Sequence, residues 1–385
     1  MIPGFTSTGS KHPAALFGAG GDAPERMVRA EGCAVWDMKG RRYIDTTMAL
    51  GAVSLGYGHP VVSAAVRKAV DDGTVGPLPP VLEAEVADRL GATNPIMESV
   101  RFFKTGAEAV AAAVRIARVE AGRDRIVTSG YQGWLDTFSD AVGVPAAVRG
   151  GRQSVPFNDV AALETAMGHG EPTAAIVVEP VVDGPPHEAW IAALNDARAR
   201  TGALIVLDEI KTGLRLGPAG ARRRYGFDAD LVVMGKALGN GFPIAAVGGA
   251  EALMRAVTRT WISSTLATEF VSLAAADAVL RVYDREDVSG HIAAVGQRFS
   301  DGLVEIAAAH SSVIRSVKGI AEFCYLECAT ESVSTRLGAG CAARGVIFKR
   351  NAYNFMSLAH SEETVDDVLQ VVGGVVAALA KEEAE

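Results

Sequence analysis

The sequence predicts an α/β fold, in which a mostly parallel β-sheet is flanked by helices. Three short apolar segments, at residues 175–178, 203–207 and 231–234, contain no polar residue and are each followed closely by a charged side chain. Strands that are buried on both faces have this unbroken pattern, whereas half-exposed strands alternate apolar and polar residues. Helical spacing between them, as at residues 188–201, completes the alternation that is typical of α/β proteins.

Two of these predicted strands carry a carboxylate and an amine to the same edge of the sheet. Asp208 ends the segment at 203–207, and Lys236 follows the segment at 231–234 after one glycine. Carboxyl ends of parallel strands share one edge, and open α/β sheets bind their ligands there. Because burying either charge alone is costly, one explanation is a bound cofactor that engages both groups. The alternative is a buried salt bridge without a cofactor.

Pyridoxal phosphate is a cofactor whose chemistry suits a lysine and an aspartate in one crevice. A lysine amine forms a Schiff base with its aldehyde, and an aspartate pairs with the pyridinium nitrogen and keeps it protonated. The protonated ring then acts as an electron sink for a carbanion at the substrate carbon. The spacing of Asp208 and Lys236 alone leaves the cofactor site and the cofactor-free salt bridge equally open.

The sequence around these two residues resembles the class III, fold type I aminotransferases. The resemblance lies in residues 207–215, LDEIKTGLR, and 234–241, MGKALGNG, and further family motifs follow in the family's order from about Glu31 to His360. The class includes ornithine and other omega-aminotransferases and glutamate-1-semialdehyde aminomutase. Within it, the chain is most similar to the aminomutase-like branch, which includes sugar and aminocyclitol aminotransferases. Lys211 is a departure, since many relatives carry Gln or another uncharged residue there.

The resemblance implies the fold type I architecture and its cofactor, pyridoxal 5'-phosphate. A large cofactor-binding domain is expected at residues 51–285. A smaller α+β domain is expected from both chain ends, with an N-terminal arm and its first part at 1–50 and the remainder at 286–385. The resemblance also implies a homodimer with shared active sites. In this reading Lys236 carries the cofactor, and Asp208 pairs with the ring nitrogen.

Length and composition fit an enzyme of this size and exclude several other classes. With 385 residues and 49% hydrophobic content, the chain can bury more than one small core. Its net charge of −8 and the lack of a Lys/Arg-rich tract argue against nucleic acid as a partner. The four cysteines lack the spacing of a zinc site, which predicts a reduced, cytoplasmic protein without a metal. No signal peptide or membrane-spanning segment is expected.

The N-terminal thirty residues are rich in Gly and Pro and lack clear periodicity, which predicts an irregular arm. In relatives the corresponding arm helps to cover the active site. Ser10, Lys11 and His12 are therefore candidates for substrate contacts. A solvated surface arm explains the same residues equally well.

The next elements follow from local patterns. Two short segments at 34–37 and 42–45 flank a Lys-Gly turn at 39–40, which predicts a β-hairpin. Helical spacing of apolar residues then predicts helices over 61–72 and 81–90.

A phosphate-binding turn is indicated where Thr105-Gly106-Ala107 joins a strand end to an alanine-rich helix that runs to about Ala121. Glycine permits close backbone approach, and the first N–H groups of a helix are free to bind an anion. Such turns also occur in unrelated proteins. This one matches the family's Thr-Gly-Ala-Glu-Ala segment, which implies that Gly106 and Ala107 bind the cofactor phosphate.

The resemblance assigns three more residues to the cofactor. Tyr131 begins a Tyr-Gln-Gly-Trp segment that is similar to the family's Tyr-His-Gly-Trp motif, whose aromatic ring stacks on the pyridine ring. Gln132 replaces the usual His, which leaves the hydrogen bonding there open. Glu179 is expected near the 3-oxygen side of the ring, with a purely structural role as the alternative. Ile210 is expected to contact the cofactor.

Residues 261–269 occupy the place of the family's Gly-Thr-x-x-Gly-Asn-Pro segment. There a threonine crosses the dimer interface to bind the partner's cofactor phosphate, and Thr265 is the matching residue. Glu269 resembles the Ser-Ser-Thr-x-x-x-Glu variant of the sugar-type subgroup. Its carboxylate could engage a cationic or hydroxylated substrate, or it could cap the helix that is predicted over 271–283.

The C-terminal part alternates strands and helices, as expected for the smaller domain. Strands are predicted at 324–328 and 355–360, and helices at 331–344 and 362–383. Arg350 lies near the position from which omega-aminotransferases direct an arginine toward a substrate carboxylate. A solvated loop explains Arg350 as well.

The sequence favours an aminotransferase that moves an amino group from an amino-acid donor to a carbonyl acceptor, with a sugar or aminocyclitol as the candidate acceptor. No dinucleotide, P-loop or H-E-x-x-H motif competes with this reading. The connection at 136–158 is shorter than the gating loop of the aminomutase, which favours release of one product and entry of a second substrate. The alternatives are an aminomutase or epimerase, a general omega-aminotransferase, and a structural relative without cofactor.

Overall fold

The computed structural model of the protein describes residues 2–18 and 22–385, which separate into two compact units. One unit consists of Met1–Pro60 and Asp287–Glu385, and the other of Val61–Glu286. The first unit thus combines both chain ends. The corresponding divisions predicted from the sequence lie at 50/51 and 285/286.

The N-terminal part of the first unit contains a short helix, a three-stranded antiparallel meander and a left-handed turn. These elements are α1 (Pro13–Phe17), β1 (Met27–Glu31), β2 (Ala34–Asp37), β3 (Arg42–Asp45) and α2 (Met48–Gly51). The hairpin predicted at this place is confirmed, since β2 pairs antiparallel with β3. The arm is more ordered than predicted, because the imidazole of His12 accepts the Ala14 N–H at 3.0 Å and Pro13 starts α1.

The second unit alternates strands and helices from Ser99 to Met234. In chain order its elements are α3 (Pro60–Asp71), α4 (Val81–Thr93), β4 (Ser99–Phe103), α5 (Gly106–Ala121), β5 (Arg125–Ser129), α6 (Ala146–Arg149), β6 (Arg152–Ser154), α7 (Val160–Gly168), β7 (Thr173–Val178), α8 (Glu188–Thr201), β8 (Leu204–Asp208), α9 (Gly220–Tyr225), β9 (Leu231–Met234), β10 (Ala245–Gly249), α10 (Glu251–Met254) and α11 (Phe270–Arg285).

These strands form one seven-stranded sheet in the order β4-β10-β9-β8-β7-β5-β6. Among its described strands, β10 runs antiparallel to both neighbours, and the others run in one direction. All six residues of β7 are buried, which explains the unbroken apolar segment in the sequence. α5 packs against β7, β8, β9 and β10 through small alanine side chains. The predicted mostly parallel sheet flanked by helices is confirmed.

The C-terminal part of the first unit completes an α+β unit with two small sheets. Its elements are α12 (Val288–Ala309), β11 (Ile314–Ile320), β12 (Phe323–Cys328), α13 (Glu331–Ala342), β13 (Val346–Ile347), β14 (Asn354–Phe355) and α14 (Glu362–Glu382). β13 joins the N-terminal sheet in the order β1-β2-β3-β13, and β11-β12-β14 form the other sheet. This agrees with the predicted smaller α+β domain. Within the described ranges, no helix is long and apolar enough to cross a bilayer.

The strand predicted at 355–360 ends at Phe355. The Ser357 N–H donates to Nδ1 of His360 at 3.1 Å, and the Leu358 N–H donates to the Ser54 carbonyl at 2.8 Å. Because side-chain and loop acceptors take these backbone donors, the segment cannot continue the ladder of a sheet.

Glu209 is a buried carboxylate that fixes the loop between β8 and α9. It accepts the N–H groups of Ala221 at 3.0 Å and Arg222 at 2.7 Å, and the Thr212 hydroxyl also donates to it. Burial raises the pKa of Glu209, and these hydrogen bonds act in the opposite direction. Gly220 has a φ of +59°, and a Cβ there would lie 2.5 Å from a Glu209 carboxylate oxygen. Glu209 therefore ties the loop that follows Asp208 to the first turn of α9.

We expect Glu209→Ala to lower the free energy of unfolding by about 3 kcal/mol, because it leaves buried N–H donors without an acceptor. The measurement is the midpoint of urea unfolding. Glu251→Ala is the matched control, since that exposed carboxylate at the start of α10 pairs with the exposed Arg255 just beyond the end of the helix, and it should change stability by less than ~0.5 kcal/mol. A loss below about 1 kcal/mol for Glu209→Ala would contradict the anchoring role.

Candidate active site

The carboxyl edge of the large sheet collects the side chains that carry the chemistry. Asp208 ends β8 and lies in register with Val233 of β9, and Lys236 follows two residues after that strand ends. Glu179 follows β7, whose Val178 is paired with both β5 and β8. Tyr131 follows β5 by two residues. The parallel order of the strands brings these four residues together at one edge.

Asp208 is a deeply buried carboxyl group at the centre of this edge. Its side chain is 3% exposed, and its Oδ1 accepts the Ile210 N–H at 3.0 Å. Burial, followed by the negative charge of Glu179, raises the pKa of Asp208 to about 7. The Ile210 hydrogen bond and the charges of Lys236 and Lys211 oppose that rise. A cationic ligand atom beside Asp208 would therefore favour its ionised form.

Lys236 combines a strained backbone with an amine of lowered basicity. Its φ is +42°, in the left-handed region that costs a non-glycine residue roughly 1–2 kcal/mol. Burial, followed by the charge of Lys211, lowers the pKa of Lys236 to about 8, although Glu179 and Asp208 act to raise it. A larger fraction of the amine is then neutral near physiological pH, which is the form that attacks a carbonyl.

Glu179 connects two parts of the edge through its two oxygens. Oε1 lies 2.7 Å from Nζ of Lys211, in an ion pair that is largely buried. Oε2 accepts the N–H of Tyr131 at 2.9 Å. Gly130 has a φ of +90°, and a Cβ there would lie 2.7 Å from Oε2 of Glu179, so the loop can approach the carboxylate this closely only with glycine.

The N-terminus of α5 adjoins the same edge. Thr105 and Glu108 form a capping box, in which the Glu108 N–H donates to the Thr105 hydroxyl at 3.2 Å and the Thr105 N–H donates to the Glu108 carboxylate at 2.9 Å. A Cβ on Gly106 would lie 2.5 Å from Ile210 Cδ1. This contact sets the start of α5 against the loop after Asp208. The first-turn N–H groups at Gly106 and Ala107 remain available for an anion.

The loop after β5 exposes the ring of Tyr131 and buries the side-chain amide of Gln132. Tyr131 is 71% exposed. Gln132 is buried, and its Nε2 donates to the Ser129 carbonyl at 2.8 Å. Gly133 packs against Ala107, where a Cβ would come within 2.8 Å of the alanine Cβ. Gln132 therefore stabilises the loop, and the ring of Tyr131 is accessible.

Glu269 caps α11 and forms an ion pair. Its carboxylate accepts the N–H groups of Val271 at 2.7 Å and Ser272 at 2.9 Å, and Nζ of Lys104 lies 2.7 Å from Oε1. Burial acts to raise its pKa, but the hydrogen bonds from Lys104 and Ser272 hold it below the ordinary value. Of the two roles that the sequence left open, the cap is present, and a substrate contact stays a prediction. Thr265 lies exposed in the preceding turn.

The remaining predicted substrate residues belong to the first unit. Ser10 and Lys11 are exposed, and the Ser10 carbonyl accepts Nζ of Lys349 at 3.3 Å. Arg350 donates to the carbonyls of α1, to the Thr335 hydroxyl at 2.9 Å and to the carboxylate of Glu331. Its guanidinium thus joins α1 to α13. The substrate roles of Ser10, Lys11 and Arg350 stay predictions.

Lys211 departs from the family sequence, and the sequence alone indicated only that it could alter the charge near the cofactor ring. Its position three residues after Asp208, close to the end of a strand that was predicted to be buried, was the available signal. A buried lysine requires an acidic partner, and Glu179 ends the neighbouring strand. The sequence alone did not show that β7, which Glu179 follows, lies beside β8, which precedes Lys211.

Comparisons with known proteins identify the family of this sequence. The family model described as Aminotransferase class-III matches residues 19–139 and 143–372. A glutamate-1-semialdehyde 2,1-aminomutase of Neisseria gonorrhoeae is 32% identical over 419 residues, with 99% of this chain and 97% of the relative covered.

Solved structures share the fold. A transaminase with PLP bound is 24% identical with a TM-score of 0.91, and the match covers 100% of this chain and 96% of that one. A glutamate-1-semialdehyde-aminomutase from Pseudomonas aeruginosa PAO1 is 22% identical with a TM-score of 0.83, covering 92% and 87% of the two chains. Because the family model spans most of the sequence and the Neisseria relative aligns over nearly its whole length, the chain belongs to the class-III aminotransferases.

Proposed function

We propose that this chain is a pyridoxal-phosphate-dependent aminotransferase that moves an amino group from an amino-acid donor to a carbonyl acceptor. The observation that carries the proposal is the convergence of Lys236 and Asp208 at the carboxyl edge, beside the N-terminus of α5. An amine, a carboxylate and an anion-binding helix end are the three protein groups that this cofactor requires. Membership of the class-III family supports the same cofactor.

The residues present fit pyridoxal phosphate in their chemistry. Gly106 and Gly133 let the start of α5 and the loops after Asp208 and β5 pack closely, because a Cβ at either glycine would collide with Ile210 or Ala107. Asp208 is buried next to the negative charge of Glu179, so a protonated ring nitrogen would supply the favourable counter-charge. The exposed ring of Tyr131 is positioned on the loop after β5, where it can cover one face of a planar ligand.

The proposed roles of the residues follow from these contacts. When bound, pyridoxal phosphate supplies an aldehyde that reacts with amines and a ring that accepts electron density. Lys236 would hold the aldehyde end, and its Nζ, with a pKa of about 8, would accept and return a proton near neutral pH. Asp208 would hold the ring nitrogen through its carboxylate. Gly106 and Ala107 would bind the phosphate through their N–H groups.

An intramolecular aminomutase or epimerase is the second candidate, because the aligned curated relatives carry the name glutamate-1-semialdehyde 2,1-aminomutase. The same lysine can return a proton to either of two carbons, so the sheet edge serves both reactions. The alignment with the Neisseria relative spans 419 positions against the 385 residues here, so that relative has segments without a counterpart in this chain. The short connection at 136–158 supports the aminotransferase through easier exchange of product and substrate.

The proposed acceptor is a hydroxylated carbonyl compound, such as a sugar or aminocyclitol precursor. Its support is the resemblance of the segment around Thr265 and Glu269 to the sugar-type variant. Hydroxyl recognition requires polar groups that would be left unpaired by an apolar acceptor, at a cost of about 1–3 kcal/mol each. Ser10, Lys11 and Glu269 are the candidates for these contacts, and a general omega-aminotransferase is the alternative.

We expect Lys236→Ala to abolish turnover and the borohydride-reducible link to the cofactor, since no amine remains to form it. Asp208→Asn should retain the link and lose about 100- to 1000-fold in turnover, because a neutral amide no longer favours a protonated ring. Mass spectrometry after reduction reads the link separately from activity. Lys68→Ala, at an exposed residue paired with Asp72, is the control and should change neither property. Normal turnover of Lys236→Ala would refute the proposed role.

A panel of donors and acceptors should separate the candidate reactions. For the aminotransferase we expect turnover only when both an amino donor and a carbonyl acceptor are present, with hydroxylated acceptors faster than simple keto acids. Product masses and the cofactor absorbance are the measurements. Turnover of a single amino compound without an acceptor would favour the aminomutase or epimerase. Simple keto acids or arylalkyl ketones that outpace every hydroxylated acceptor would leave a general omega-aminotransferase.

We further propose that the protein is a homodimer in which Thr265 of one copy binds the cofactor phosphate of the other. Exposed apolar side chains support a partner surface on the second unit, with Leu78 76%, Val81 77% and Trp261 82% exposed. The segments that carry them are joined through the Phe270 N–H, which donates to the Thr74 carbonyl at 2.9 Å. Burying such a surface against a second copy would be favourable.

Sedimentation should give twice the mass of one chain, and Thr265→Val should weaken cofactor binding by about tenfold through loss of one hydrogen bond to a charged group. The variant should remain dimeric. A fully active species with the mass of a single chain would contradict the shared site.

A further inference from the structure

The carboxyl edge of the sheet buries more charge than the proposed reaction uses. Besides Asp208 and Lys236, it holds the ion pair between Lys211 and Glu179, with 2.7 Å between Nζ and Oε1. Removing water from both members of such a pair is expensive, and replacement by apolar residues is often neutral or stabilising in other proteins. The pair is therefore weakly explained as a source of stability.

We propose that Lys211 is a positioning residue of the active site, which holds Glu179, and through Glu179 the backbone of Tyr131, and which balances the carboxylate charge beside Lys236. The inference rests on the proposed function, in which Lys236 is the reacting amine. It adds a residue to which neither the sequence motif nor the family membership assigns a role.

The mechanical part of this role follows from the two oxygens of Glu179. Oε1 is held by Lys211, and Oε2 accepts the Tyr131 N–H at 2.9 Å. The Glu179 carboxylate therefore contacts the loop that follows β8 through one oxygen and the loop that follows β5 through the other. Without Lys211, the mostly buried Glu179 carboxylate would lose its cationic partner. The hydrogen bond from the Tyr131 N–H would then have to position the carboxylate without the ion pair.

The electrostatic part concerns the charges that act on Lys236. After burial, Lys211 and Arg215 lower the pKa of Lys236, whereas Glu179 and Asp208 raise it. Loss of the Lys211 charge would remove a repulsive neighbour and would also leave Glu179 unbalanced. Both changes stabilise the protonated amine of Lys236, so they add rather than cancel.

The same loss would act on Asp208. Glu179 raises the pKa of Asp208, and Lys211 opposes that rise. An unbalanced Glu179 would thus raise the pKa of Asp208 further and favour its protonated form. Lys211 consequently shifts both groups toward the forms that their proposed roles require, the neutral amine of Lys236 and the ionised carboxylate of Asp208.

The side-chain type at 211 matters for this reason. An uncharged side chain there would leave Glu179 without its cation, and a shorter one would not span the gap to the neighbouring strand end. Arg would preserve the charge and the ability to pair with a carboxylate, although with a larger planar group. The conservative substitution therefore separates the charge of residue 211 from its shape.

The test measures the protonation of Lys236 directly in the full-length protein freed of cofactor. Competitive labelling with acetic anhydride over a pH series, read by peptide mass spectrometry, gives the midpoint of Lys236 reactivity. We expect Lys211→Met to raise that midpoint by about one pH unit and Glu179→Gln to lower it. The double variant should return toward the parent value, and Lys211→Arg should stay near it.

A parallel measurement uses the holoenzyme, in which the pH dependence of the absorbance of the lysine-bound cofactor should move in the same directions. Lys104→Met is the matched control, because it breaks an ion pair with the same 2.7 Å Nζ–Oε1 distance, to Glu269, in the same unit. It should leave the Lys236 midpoint unchanged. Urea unfolding confirms that each variant is folded, and Glu179→Gln and Lys211→Arg carry the test if Lys211→Met is not.

A purely structural ion pair would give a different result. Lys211→Met and Glu179→Gln would then lose similar stability and move the Lys236 midpoint in the same direction or not at all, and either result overturns the inference. The midpoint belongs to the amine itself. It therefore remains informative even if the protein turns over no amino compound, so failure of the proposed function is recognised separately.

Discussion

The balance of charge among the buried side chains at the carboxyl edge of the large sheet is the constraint on which the rest of the structure depends. Strands that are buried on both faces can place polar groups only where they end, and here four such ends meet. Asp208 and Glu179 would repel each other if left alone, and the charges of Lys211 and Lys236 oppose that repulsion. The pKa values of Asp208 and Lys236, about 7 and about 8, therefore lie close to physiological pH. Groups that exchange protons or pair with them are most useful in that range.

Close backbone approach is the second requirement of this edge. Gly106, Gly130 and Gly133 lie where a Cβ would collide with Ile210, Glu179 or Ala107, and Lys236 adopts a left-handed backbone conformation. Such strain persists when the surroundings over-determine it, and Glu209 anchors the adjoining loop through three donors. Close backbone packing and the loop held by Glu209 thus keep the side chains at this edge in a precise arrangement.

The edge explains cofactor chemistry but not the choice of reaction. An amine that moves one proton serves a transfer between two molecules and a rearrangement within one, so Lys236 and Asp208 are common to both proposals. The difference lies in how long the bound molecule is retained and which groups contact its far end. Those properties depend on the connecting loops and on residues such as Glu269, whose carboxylate already caps α11 and pairs with Lys104.

The sequence by itself determined the buried strands, their charged ends and the helices between them, because periodicity and glycine placement report local burial and local conformation. β7, β8, β9 and α5 begin and end close to their predicted limits. Only the tertiary structure decided which charges meet. Lys104 and Glu269 are 165 positions apart, and Glu179 finds Lys211 because β7 lies beside β8. Local patterns carry no record of strand order, so such partners become visible only when the sheet is assembled.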